Sequence, residues 1–172
     1  MNIMKKVLIL FILFVTALGA TAQDTMSAML MDADATTNIR NKPSGAVVMT
    51  LTTEKPYVFN LTTPQNGWWK ILDYWNAEDD EDATTLEGSD TGEYWIHFSV
   101  LSVDTRNYGG QELCLRDAPD ENANVIFTFN QELSLMPMDI QDDWVKVKVN
   151  GYDIIGWIEA EWLCSNPLTN CC

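Results

Sequence analysis

Apolar residues in this chain come in short runs separated by turn residues. Val47-Val48-Met49-Thr50-Leu51, Trp68 to Leu72, Val125 to Phe129 and Val145 to Val149 are rich in β-branched or aromatic side chains, and each is bounded by turn formers. That pattern predicts strands. Within two of the runs the alternation is clear. Trp69 and Ile71 share one strand face and Trp68 and Lys70 the other; Val145 and Val147 are likewise set against Trp144 and Lys146. Asn66-Gly67 and Asn150-Gly151 are tight-turn signals, the second predicting a hairpin between Val145-to-Val149 and Tyr152-to-Ile158. Helical periodicity is weak beyond the first 22 residues; a short helix over Asp24 to Asp34 is the one such expectation. Many short strands in small units predict an all-β protein of barrels or sandwiches.

The pattern is also stated twice. Asn38-Ile39-Arg40-Asn41-Lys42-Pro43 is echoed by Cys114-Leu115-Arg116-Asp117-Ala118-Pro119, and Gly67-Trp68-Trp69-Lys70-Ile71 by Asp143-Trp144-Val145-Lys146-Val147, in both cases 76 residues later. Tyr94-Trp95-Ile96-His97 is echoed by Gly156-Trp157-Ile158-Glu159 at a spacing of 62. Shared motifs in fixed order mean one small unit used twice, with about 14 extra residues in the first copy. The expected organisation is a first unit over 35–103 with an insertion at 77–90, a linker over 104–111, a second unit over 112–167 and a cysteine-containing tail over 168–172. The insertion, around Ala77-Glu78-Asp79-Asp80-Glu81-Asp82, carries like charges that repel, so it is expected as an exposed loop. Calcium binding there is the sharper alternative, but the loop glycine of an EF-hand is missing.

The beginning of the chain changes the compartment. Lys5 and Lys6, the apolar run Val7 to Val15 and the small-x-small site Ala20-Thr21-Ala22 read as a secretory signal over 1–22, cleaved to leave Gln23 first and a short segment over 23–34. The run is short for a bilayer span, so no stable membrane anchor is expected after cleavage. Periplasmic or extracellular localisation follows. Of the 10 basic residues, 8 then remain against 25 acidic ones, a net charge of −17. Such a charge argues against nucleic acid or anionic lipid as a partner.

Asn-Ile-Arg-x-x-Pro near the start of the unit, Gly-Trp-Trp-Lys-Ile in its middle and Gly-Trp-Ile near its end resemble the bacterial SH3 domain. The resemblance covers both copies and implies two tandem small SH3-like β-barrels. It departs from the pattern at Asp143, where the first copy has Gly67, and at Tyr94, where the second has Gly156. Members of that family often bind cell-wall peptides or tether hydrolases to the wall. In the similar eukaryotic domains the first tryptophan of the central pair lines a peptide groove. The resemblance therefore makes Trp68 and Trp144 the candidate ligand contacts. Trp162, matched by Val100 in the first copy, stands at a groove position beside Trp144. The competing reading is that Trp68 and Trp144 cover the barrel end or the contact between copies. Trp95 and Trp157 are expected in the core or at its rim.

All four cysteines, Cys114, Cys164, Cys171 and Cys172, lie in the second copy or its tail. An exported chain permits disulfides. In a closed barrel the first and last strands are often neighbours, which makes Cys114–Cys164 the first expectation; Cys164 paired with Cys171 or Cys172 is the rival. No paired C-x-x-C occurs and His97 is the sole histidine, so neither a metal nor a cofactor is expected.

No catalytic constellation emerges either. The mature chain has no cysteine before His97, no G-x-S-x-G, no phosphate-binding glycine loop and no H-E-x-x-H. The expectation is a non-catalytic exported binding module that recognises cell-wall peptides or another envelope ligand through aromatic grooves. The alternative is a protein-binding inhibitor, immunity or assembly factor that applies its acidic surface to a basic protein.

Overall fold

The computed structural model describes residues 24–78, 84–86 and 93–165. The expected signal sequence, most of the acidic insertion, and Cys171 and Cys172 lie outside these residues. The described chain is almost entirely antiparallel β-structure. Its strands are β1 Thr25–Leu30, β2 Thr36–Arg40, β3 Val47–Thr52, β4 Tyr57–Gln65, β5 Trp68–Asn76, β6 Thr84–Thr85, β7 Trp95–His97 and β8 Leu101–Thr105, followed by β9 Leu113–Arg116, β10 Val125–Phe129, β11 Ser134–Gln141, β12 Trp144–Val149, β13 Ile155–Glu159 and β14 Leu163–Cys164. One-turn 3-10 segments, Phe98–Val100 and Ala160–Trp162, lead into β8 and β14.

Strand order carries the repeat into three dimensions. Hydrogen bonding runs β3-β2-β7-β5-β4 in the first half and β10-β9-β13-β12-β11 in the second, so equivalent strands have equivalent neighbours. The outer edge of β4 is covered by β1 and that of β11 by β8. β8 also pairs with β1, through Leu101 opposite Leu30, and with β14, through Thr105 opposite Leu163. It thus ends the first unit and opens the second. The boundary expected between Val103 and Asp104 falls inside this strand. The linker that follows is anchored by Asn107, which is 2% exposed. Its Oδ1 accepts from the Thr105 hydroxyl at 2.8 Å, and its Nδ2 donates to the carbonyls of Gln111 and Gln131 at 3.2 and 3.1 Å.

Residues 24–34, expected as a short helix, instead supply β1. Leu61 faces Met26 and Phe59 faces Ala28 across the ladder, and Ala28 is fully buried. Tertiary pairing outweighs the helical preference of Met and Ala here. The alternation in the central strands holds. Trp69, Ile71, Val145 and Val147 are buried, while Trp68, Lys70, Trp144 and Lys146 are partly exposed. Buried side chains from both units form one contiguous apolar cluster that includes Phe59, Trp69, Leu101, Val103, Leu135 and Val145. At the seam Trp69 Nε1–H donates to the buried Pro137 carbonyl at 2.8 Å, a bond between β5 and β11.

Candidate functional site

The repeated arginine closes a loop in each unit. Arg40 donates to the Gly45 carbonyl at 2.6 Å and Arg116 to the Ala123 carbonyl at 2.8 Å. Those bonds hold the β2–β3 and β9–β10 loops beside the tryptophans of the central strands. In the first unit Trp68 lies opposite His97 in the β5–β7 ladder. Its ring meets the imidazole edge-on, with centroids 5.0 Å apart, and the Arg40 guanidinium sits 5.8 Å from the ring centroid. His97 is fixed in turn by Ser99, whose backbone N–H donates to Nδ1 at 3.3 Å and whose hydroxyl lies 2.7 Å from the same nitrogen. Partial burial lowers the His97 pKa by penalising the charged ring. Trp68 is therefore engaged by Arg40 and His97 of its own unit.

The second unit treats the equivalent position differently. Trp144 lies opposite Glu159 in the β12–β13 ladder, so a carboxylate stands where the first unit has an imidazole. Val100 is replaced by Trp162, whose Nε1–H donates to Glu159 Oε2 at 3.2 Å. Between these groups a recess of about 120 Å³ is walled by Trp144, Trp162, Arg116, Cys114 and Glu159. A wider groove of about 470 Å³ also borders Trp144 and Glu159, lined further by Glu121, Asp143, Ala160 and Glu161. The structure thus brings Trp144 and Trp162 together on one concavity and places Trp68 in a separate aromatic stack.

The departure at Asp143 has a local cause. Asn66 and Gly67 both have positive φ, +51° and +80°, and a side chain on Gly67 would meet the Phe98 ring at 3.1 Å. At the matching turn of the second unit Asp142 alone takes a positive φ, +50°, and Ala160 replaces Phe98. The smaller residue leaves room for the Asp143 side chain at the groove rim. Asp143, Glu159, Glu161 and Cys114 were not singled out as groove residues from the sequence. The signal was present in the 76- and 62-residue correspondences, which place three of them opposite Gly67, His97 and Ser99.

One other expectation changes. Cys114 is a free, partly buried thiol, so the Cys114–Cys164 bridge is not formed. Its place is the wall of the recess beside Arg116, while Cys164 is itself disulfide-bonded in β14. The rival pairings with Cys171 or Cys172 lie outside the described residues. Trp95 is buried at 4% exposure, whereas its counterpart Trp157 is only partly buried, 5.8 Å under the Lys146 ammonium. Gly156, which precedes Trp157, packs so closely on Leu115 and Ile126 that a Cβ there would lie within 3.0 Å of both. Among the described residues no group of three or more His, Cys, Asp or Glu side chains is arranged to hold a metal ion. Nor is any helix among them long and apolar enough to cross a membrane.

No protein-family model matches the chain, and no curated protein matches it. Among solved structures it is similar to NlpC2 from Trichomonas vaginalis, with 15% identity and a TM-score of 0.31 over 84% of this chain and 49% of that one. It is also similar to NlpC1 from the same organism, with 14% identity and a TM-score of 0.31 over 90% and 50% of the two chains. The chain spans about half the length of each.

Proposed function

We propose that the protein is an exported, non-catalytic binding module of two tandem SH3-like barrels. The second carries a groove for a cell-wall peptide or another envelope ligand. The observation that supports this reading most is the concavity at Trp144 and Trp162. Two indoles on one recess offer broad apolar area with hydrogen-bonding handles, which suits shallow contact with a peptide or glycan. The repeated motifs and the twofold strand order support the barrel reading, and the basic, apolar and small-x-small start of the chain supports export. In the first unit the same position is occupied by the Arg40–Trp68–His97 stack, so one ligand per chain is expected.

The test is a pull-down on purified peptidoglycan beside an envelope extract, with parent and Trp144→Ala protein at low and high ionic strength. Binding that survives salt and fails in Trp144→Ala is the expected result. Binding that collapses with salt and ignores Trp144→Ala would favour the acidic surface acting on a basic protein, because screening weakens exposed charge pairs far more than aromatic packing.

A further inference from the structure

We infer that copies of this chain join head to tail, the open edge of β3 on one copy pairing with the open edge of β10 on the next. The hydrogen-bonded path of strands begins at β10 and ends at β3. Within the chain the edges of β4 and β11 are covered by β1 and β8, and the pairing of β1 with β8 joins the two units. The far edge of each unit lacks such a cover. Among the described residues β3 pairs only with β2, and β10 only with β9. An uncovered edge offers its free N–H and C=O groups to another strand. The two edges are equivalent in structure, with Val47 opposite Arg40 and Val125 opposite Arg116. Each begins with an exposed apolar pair, Val47 and Val48 at 46% and 40% exposure, Val125 and Ile126 at 50% and 47%. Neither 46–53 nor 123–131 contains a charged residue or a proline, the residues that commonly keep edges apart. A bulge interrupts each ladder at its loop end, at Val48 and Ile126. Beyond it the register is regular, from Met49 to Thr52 and from Phe127 to Phe129. None of the four exposed apolar residues lines the recess at Trp144 and Trp162.

Charge makes a second copy the partner and decides which edge meets which. Segment 40–56, which carries β3, has the basic residues Arg40, Lys42 and Lys55 against the acidic Glu54, a net charge of +2. The segment 76 residues later, 116–132, carries β10 and has Arg116 against Asp117, Asp120, Glu121 and Glu132, a net charge of −3. With 8 basic and 25 acidic residues left after the expected cleavage, two copies repel at most approaches. The β3 end is a local exception, and the β10 end is its complement. Lys42, Lys55, Asp120, Glu121 and Glu132 are all exposed. Every pairing in this sheet is antiparallel. An antiparallel β3–β10 pair brings Lys42 toward Glu132 and Lys55 toward Glu121. Two β10 edges, or two β3 edges, would set like charges against each other. A contact between unlike edges leaves one edge free on each copy, so growth does not end at a dimer.

The experiment is sedimentation velocity of the mature protein over a wide range of concentration, at physiological ionic strength. The parent is expected to grow past the mass of a dimer as concentration rises. Val48→Asp places a charge on the β3 edge and Ile126→Asp on the β10 edge, and each variant alone is expected to stay monomeric. Mixed in equal amounts, the two retain one live β10 and one live β3 between them, so they should form a one-to-one dimer and stop there. Lys42→Glu should weaken association of the parent about threefold or more, as loss of an exposed cross-contact charge pair does. Thermal melts establish that each variant folds. Thr50→Asp and Thr128→Asp, at exposed positions of the same two edges, replace any variant that does not. A parent that stays monomeric throughout overturns the inference. So does growth that survives both edge variants, or a mixture that remains monomeric. A dimer that persists in Val48→Asp and vanishes in Ile126→Asp, or the reverse, would show like edges pairing and would overturn the head-to-tail order.

Discussion

Replacing Trp69 by Phe tests how the two units are joined. Trp69 is fully buried, and its indole N–H makes the 2.8 Å bond to Pro137 that crosses from β5 to β11. Phenylalanine keeps an aromatic ring on the same face but has no donor. A buried carbonyl left without its partner costs about 1–3 kcal/mol. The lost five-membered ring adds roughly 1 kcal/mol more, since even a single buried methylene costs about 0.5–1.5 kcal/mol. A total of about 2–4 kcal/mol corresponds to a fall in Tm of roughly 5–15 °C for a chain of this size. Differential scanning calorimetry with near- and far-ultraviolet circular dichroism reads it. Because β8 belongs to both ladders and the apolar cluster is continuous, the fall should appear in one transition seen alike by all probes. An unchanged Tm would refute the role given to the seam bond, and two separate transitions, one of them unmoved, would refute the coupling of the units.

Other outcomes follow from the same geometry. Trp144→Ala should melt close to the parent while weakening binding to peptidoglycan by more than about 1 kcal/mol, the level expected of an interface anchor. Trp95→Ala should destabilise by about 3–5 kcal/mol as a core truncation, and Trp157→Ala by clearly less, because Trp157 lies at the rim under Lys146; paired chemical denaturation curves decide the order. For His97, burial holds the folded-state pKa below the unfolded value, so the stability it contributes is present above the unfolded pKa and is lost as pH falls through the folded one. The Tm should therefore drop more between neutral and mildly acidic pH in the parent than in His97→Gln, and equal pH profiles would contradict the depressed pKa. Cys114 should react with a thiol-specific alkylating reagent without prior reduction, and peptide mapping that finds it joined to Cys164 would overturn its free state.

What could be read from the sequence follows the range over which each interaction acts. Period-two alternation in Trp68 to Leu72 and Val145 to Val149 is local, and it located β5, β12 and their buried faces. Asn150-Gly151 marked the hairpin between β12 and β13 for the same reason, with Gly151 at φ +77°. β1 was missed because Thr-Met-Ser-Ala-Met-Leu has little intrinsic strand preference and is held extended by partners some 30 and 70 residues away. The double use of β8 was equally hidden, since its pairing with β1, β11 and β14 leaves no mark within Leu101 to Thr105 itself. At the site the motif tryptophans were visible as a repeated word. The carboxylates around Trp144 were not, because they sit where the repeat diverges. Cys114 was misassigned because strand adjacency was inferred from barrel closure, whereas β14 pairs with β8 and the neighbours of β9 are β10 and β13.

The ligand groove is proposed to lie in the second unit. The most direct measurement is tryptophan-selective oxidative footprinting of the mature protein, read by mass spectrometry with and without purified peptidoglycan. The chain has 7 tryptophans, each able to report separately. Peptidoglycan is expected to protect Trp144 and Trp162 and to leave Trp68 and Trp157 as they are in the free protein. Protection of Trp68 in place of Trp144, or no change at any tryptophan while the protein is bound to the wall, would contradict it.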